Sequence, residues 1–264
     1  MSIVLSHIKI FHNKTIKNQY GGGDKNTYIT YKNEKFNFSR VNDDGFLFYA
    51  LYQIGSNREC IMIIIEKDIN NCSINTLSYD DNCFPEKKEK NGIKWSGSDL
   101  LKIAFKLIEK IKDKYKLKTI TLTDNSQKIC SEGKSLDLGL MLTLISGDTW
   151  YGRYRFRPKD KNLQKAYKKN KEIMENTKIQ DVLYFKDMLQ KSLKKYYKNN
   201  KKIQEEIINK YNEYFIQNNT LKSFLSLLLT YYDATCEMFY DFYINLASKL
   251  GLVQMFGKSF IKKI

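Results

Sequence analysis

The stretch SDLLKIAFKLIEKIKDKYKLKTITLT, residues 98–123, decides the fold. Leu100, Leu101, Ala104, Leu107, Ile108, Ile111 and Tyr115 recur at helical spacing, and Lys106, Glu109, Lys110, Lys112 and Asp113 fall on the opposite face. Ser98 is a residue type that caps a helix start. After Lys116 the period changes: residues 117–123 are rich in β-branched side chains, and Asp124-Asn125-Ser126 reads as a turn. An amphipathic helix followed by a buried strand predicts α/β organisation.

Upstream, residues 2–11 and 27–38 read as strands separated by a polar turn with Gly21-Gly22-Gly23, which lacks the Lys and Ser/Thr of a phosphate-binding loop. Residues 46–54 form a short apolar helix or strand. The contiguous run Ile61-Met62-Ile63-Ile64-Ile65 suits a central strand, with residues 72–79 as its neighbour. Downstream, residues 136–145 are apolar, and Arg153, Arg155 and Arg157 alternate with Tyr154 and Phe156 as on a strand that Pro158 stops. Beyond Pro158 the pattern is helical to the end. The expected architecture is α/β (α+β), a mixed-sheet domain over residues 1–158 followed by an all-helical, basic extension over residues 159–264.

The chain has 264 residues, 45 Lys and Arg against 29 Asp and Glu, and a net charge of +16. This length suits one large domain or two ordinary ones. No apolar stretch approaches the ~20 residues that span a bilayer, and residues 1–11 lack the pattern of a secretory signal. The expectation is therefore a cytoplasmic protein without a membrane partner. The five cysteines, Cys60, Cys72, Cys83, Cys130 and Cys236, form no CxxC, and His7 and His12 lie far from most of them. Neither a metal site nor a disulfide framework follows from that spacing, and reduced thiols are expected.

Residues 159–202 hold 14 Lys and five acids, a net of +9, whereas residues 203–264 have six of each sign. Apolar positions between the lysines give helices with one charged face. That face is either solvated or a contact for nucleic acid or protein.

Residues 92–158 resemble the GCN5-related N-acetyltransferase core. In that family an anion-binding loop, Gln/Arg-x-x-Gly-x-Gly/Ala, precedes a long helix whose first amides hold the pyrophosphate of acetyl coenzyme A. Lys94-Trp95-Ser96-Gly97-Ser98-Asp99 stands at that place, with Asp99 where the family has Gly or Ala. The resemblance implies acetyl-CoA as cofactor, held by Lys94, Gly97 and Ser98, with no metal. It continues through Ile120 to Thr123, Asn125, the apolar segment, Tyr151 and Phe156, with Arg155 replacing the usual glycine. Tyr151 is then the acid that protonates the departing thiolate. Glu66 is the candidate base, with Asp124 and Asp148 as others. The Lys and Asn bias, residues 150–158 and the helical extension also resemble uncharacterised proteins of giant DNA viruses, which implies a host-cytoplasmic or virion location. Two functions stay open: a coenzyme A-dependent N-acyltransferase acting on an amine, or a degenerate acyltransferase-like protein that binds protein or nucleic acid.

Overall fold

The computed structural model describes residues 26–43, 45–85, 95–130, 135–230 and 236–264. The strand expected over residues 2–11, the glycine turn and Lys94 lie outside them. The chain enters as an antiparallel meander of β1 (Thr27–Tyr31), β2 (Glu34–Asp43), β3 (Phe46–Tyr52), β4 (Glu59–Glu66) and β5 (Asn71–Leu77). Lys32 and Asn33, with φ of 49° and 63°, make the two-residue turn between β1 and β2, whose twist matches that of paired strands. The Ile run falls on β4, where Ile61, Ile63 and Ile65 are fully buried.

Helix α1 (Gly97–Tyr115) then carries the chain back, and β6 (Thr119–Thr123) pairs parallel with β5 from Asn71↔Thr119 to Ile74↔Leu122. A parallel neighbour requires such a crossover. The helix buries Leu100, Leu101, Ile103, Ala104, Leu107 and Ile108 and ends at Lys116, left-handed with φ 50°. Its start is fixed by Trp95, which stacks on Phe84 at 4.7 Å and meets Phe36 edge-on at 5.9 Å.

Next come the hairpin β7 (Gln127–Ile129) and β8 (Ser135–Asp137), helix α2 (Leu138–Ser146) and the short strand β9 (Arg157–Pro158). The strand expected across residues 153–157 is not formed. Gly152–Tyr154 is a 3-10 turn and Arg155 is left-handed at φ 69°. Gly152 explains the departure, because a Cβ there would overlap the Asp148 carboxylate and the Tyr167 hydroxyl.

Helices α3 (Lys161–Asn176), α4 (Phe185–Tyr196), α5 (Lys201–Ile216), α6 (Leu221–Leu228) and α7 (Cys236–Lys249) follow, and then a strand, β10 (Ser259–Lys263). The extension is therefore not helical to its end. β10 lies antiparallel between β6 and β9, giving the mixed-sheet order β1-β2-β3-β4-β5-β6-β10-β9 with β5/β6 as its parallel pair. Nor does residue 158 separate two cores. The sheet and α1 share a cluster with Tyr167, Met255 and Phe260, while the helical cluster takes in Leu136, Leu140 and Leu144 from before Pro158. Trp150 touches both clusters. Buried Asn170 clamps the returning chain, its amide donating to the Val253 carbonyl at 2.7 Å and its oxygen accepting from the Val253 amide at 3.0 Å.

The cysteines also depart from expectation. Cys60 pairs with Cys83 and Cys130 with Cys236, across Cα separations of 5.7 and 5.5 Å, leaving buried Cys72 as the free thiol. Spacings of 23 and 106 residues carry no sign of pairing; only the fold brings those Cα atoms within reach.

Two outcomes follow from this architecture. Phe260→Ala, at a position 0% exposed, should cost about 3–5 kcal/mol in denaturant unfolding, the loss expected of a core aromatic and far more than a solvated tail would show. Non-reducing peptide mapping should recover the 60–83 and 130–236 links. Reduction should lower stability, since loop closure of these lengths is worth about 3 and about 5 kcal/mol.

Candidate functional site

Two groups of polar side chains gather at the carboxyl ends of β5 and β6, where α1 begins. The first surrounds Asp99, at the third position of α1 and 3% exposed. Its Oδ2 accepts from the Ser96 amide at 2.9 Å and the Ser96 hydroxyl at 2.8 Å, and its Oδ1 accepts from the Tyr31 hydroxyl at 2.8 Å and Lys32 Nζ at 2.9 Å. Burial pushes the Asp99 carboxyl up, but the hydrogen bonds from Lys32, Ser96 and Tyr31 outweigh it and hold the group below its ordinary value. Burial and the bond to Asp99 push the Tyr31 phenol up to about 12. Lys32 is delivered by the β1–β2 turn, and its ammonium also lies 5.0 Å from the centre of the Trp95 ring.

Gly97 and Ser98 stand at this helix start, as the resemblance implies. At Gly97, however, a Cβ would meet only the Tyr79 Cβ, at 3.9 Å. Crowding therefore does not require the glycine.

The second group centres on Asp124, 0% exposed and just past β6. Its Oδ1 accepts from the Ser126 amide at 3.1 Å and the Ser126 hydroxyl at 2.5 Å. Its Oδ2 has no hydrogen-bond partner among the described residues and lies where a Cβ on Gly139 would be 2.9 Å away. Burial pushes the Asp124 carboxyl up to about 6, the Ser126 bonds oppose it, and the neighbouring Asp137 adds to the rise. Asp137 caps α2 by accepting from the Leu140 amide at 3.1 Å, and burial raises it too. Tyr151 is 5% exposed between the rings of Trp150 and Phe156, at 4.8 and 6.1 Å. Burial, and then the charge of Asp124, push its phenol well above the usual range.

Tyr151 thus lies within reach of the Asp124 charge. Glu66 is not part of the group. It pairs with Phe46 and Asn71, at the end of the sheet where Asn71 meets Thr119. Thr123 lies four residues further along β6, about 13 Å at strand rise. Asp148 is engaged by the Tyr167 hydroxyl, and Cys130 is held in its disulfide. Shallow surface depressions of about 410 Å³ lie elsewhere, one between α4 and α5 and one beside Lys159 and Lys258. Among the described residues there is no group of three His, Cys, Asp or Glu placed to hold a metal, and no helix long and apolar enough to cross a membrane.

Comparison with known protein families, curated proteins and solved structures finds no match to the chain.

Asp124 makes stability depend on pH. Its folded value, about 6, exceeds the ordinary 3.8, so the folded state favours the protonated acid. The associated stability is present below pH 3.8 and is lost as pH rises through 6. Relative to Asp124→Asn, the wild-type chain should lose on the order of 3 kcal/mol between pH 4 and pH 8, read from paired denaturant titrations. A constant difference across that range would show that Asp124 does not carry the buried charge.

Proposed function

We propose that this chain is an acyltransferase-like protein of the GCN5-related type whose coenzyme A end is filled by its own side chains, and that it works by binding a partner. The order of elements supports the likeness: loop, long helix α1, strand β6, short helix α2, Tyr151, and then β9. Arg155 supports it further, because it adopts φ 69° at the position where the family carries glycine.

The observation that carries the non-catalytic reading is Asp99. An anion site at a helix start works because amides and a cation face a phosphate. Here the place of the anion is taken by a carboxylate that already has four donors, the Lys32 ammonium among them. The proposed acid and base do not come together either, with Tyr151 enclosed at one end of the sheet and Glu66 at the other.

An N-acyltransferase using acetyl-CoA is the second reading. One observation favours it: the raised phenol of Tyr151 stays protonated beside a carboxylate, Asp124, whose titration lies near neutral pH. In that mechanism Asp124 takes the place assigned to Glu66 and removes the amine proton, while Tyr151 returns a proton to the thiolate.

The basic surface supports a protein or nucleic-acid partner. For location, host cytoplasm and virion were both expectations of the viral likeness, and the two disulfides favour the virion, because cytosolic thiols are kept reduced.

Calorimetry with coenzyme A tests the reading. The wild-type chain should give no heat up to millimolar ligand. Asp99→Ala should gain weak binding, because it frees Lys32 and the helix start for phosphate, while losing about 1–3 kcal/mol of stability. Micromolar binding by the wild-type chain that Lys94→Glu weakens, or acetyl transfer that falls in Tyr151→Phe, would establish the enzyme instead.

A further inference from the structure

The basic segment read from the sequence, residues 159–202, is not one surface. On α4, Lys195 pairs with Asp241 at 2.7 Å, and Lys186 rests over the Tyr211 ring at 5.8 Å. A second basic group lies earlier and is completed from the far end of the chain; within it Arg153 and Arg157 face the Asp148 carboxylate, and Arg157 also donates to the Gly152 and Phe156 carbonyls at 3.1 and 2.7 Å, so Arg155 and the lysines carry its exposed charge. Residues 153–169 hold eight basic residues and one acid, Asp160, and residues 258–263 hold three basic residues and no acid. Asp160 is committed to capping α3, its carboxylate accepting from the Leu163 amide at 2.9 Å. Lys161, Lys165, Lys168 and Lys169 are exposed on α3, and none of them has an ion pair among the described residues.

Strand pairing joins these pieces side by side. Arg157 lies opposite Ile261 and Pro158 opposite Phe260, and the Lys159 amide donates to the Ser259 carbonyl at 2.8 Å. Lys159 and Lys258 flank one shallow surface depression of about 410 Å³. At the other end of β10, Lys262 lies over the rings of Phe105 and Phe156, at 4.4 and 5.9 Å. Burial, and then the charge of Arg155, push Lys262 below its ordinary value. Arg155 and Lys262 therefore repel one another beside β10, a five-residue strand of about 17 Å that pairs with β6 along its length and with β9 at Phe260 and Ile261. An anion bridging them would relieve that repulsion.

We infer that this strip, formed by residues 153–157, the start of α3 and β10, binds the phosphodiester backbone of a nucleic-acid duplex. The inference rests on the partner-binding reading above and names its partner. The strip's side chains are lysines and arginines. The nearby aromatics are already occupied, Tyr154 against Phe105 and Trp150 against Tyr151, so no stacking platform is offered to single-stranded bases. The contact is to backbone and carries no sequence preference.

The test uses the full chain with a 20-base-pair duplex, as DNA and as RNA, across a salt series. Arg155→Glu relieves the repulsion of Lys262, and Lys161→Glu places an acid in the first turn of a helix, where the dipole favours it. Neither change should unfold the chain. The double variant should bind about tenfold or more weakly and lower the salt slope by about two, at roughly 0.9 per phosphate contact. Lys201→Glu with Lys202→Glu makes the same change of charge in the first turn of α5 and should alter neither. Equal losses in both pairs, no binding by the wild-type chain at 50 mM salt, or tighter binding to heparin or phosphatidylserine vesicles would overturn the proposal. Coenzyme A titrated into the same samples separates the two readings. Silence toward both ligands rejects the strip and leaves the closed coenzyme end standing; binding of both supports the strip and rejects the closed end.

Discussion

Phe260 is buried in a strand whose backbone pairs with β6 on one side and β9 on the other. That pairing fixes much of the rest. The helices between β9 and β10 are an excursion that must begin and end at adjacent places on the same sheet, and Asn170 ties the outgoing helix to the incoming loop. The return is also tied to the site. The Asp124 amide donates to the Lys258 carbonyl at 2.9 Å, and the Gly257 amide donates to the Asp124 carbonyl at 2.7 Å. The residues that bring β10 home therefore form part of the wall around the buried carboxylate.

The two buried carboxylates near the ends of β5 and β6 have met opposite fates. Asp99 is supplied with donors from three residues and keeps its charge at low cost, because each bond to an ionised acceptor is stronger than a neutral one. Among the described residues Asp124 has donors on one oxygen only, so burial dominates and the charge is disfavoured. One group is a finished structural element and the other is a reserve of unsatisfied polarity beside a phenol. That contrast follows from where the donors stand: Ser96, Tyr31 and Lys32 surround Asp99, whereas Asp124 is served by Ser126.

Much of the fold was legible in sequence because it depends on local periodicity. The helix of residues 97–115 and strand β6 stand where their apolar spacing puts them, as does the Ile run of β4. What was not legible depends on distant partners. Ser259-Phe260-Ile261-Lys262-Lys263 is too short to announce a strand, and its edge partners lie about 100 and 135 residues earlier in the chain, far outside any local window. Disulfide partners are hidden for the same reason. The alternation of Arg153, Arg155 and Arg157 misled because Gly152 is pressed against Asp148 and Tyr167, and the chain turns there. At the helix start, Ser98 was a reasonable cap by residue type, but the capping box is made two residues earlier by Ser96 with Asp99, and Ser98 is the second residue of α1. Two of the four donors to Asp99, Tyr31 and Lys32, come from a hairpin almost 70 residues away, and Glu66 and Tyr151 are at opposite ends of a sheet whose strand directions no single sequence states.

The strand order also sets a timetable for synthesis. β6 is made about 135 residues before β10, its antiparallel neighbour, an interval of about 7–27 s at 5–20 residues per second. Throughout that interval one side of β6 shows unpaired amides and carbonyls, a template for other chains. The pairing of β10 with β6 is what covers that template, and it can form only after the helices between the two strands have been made.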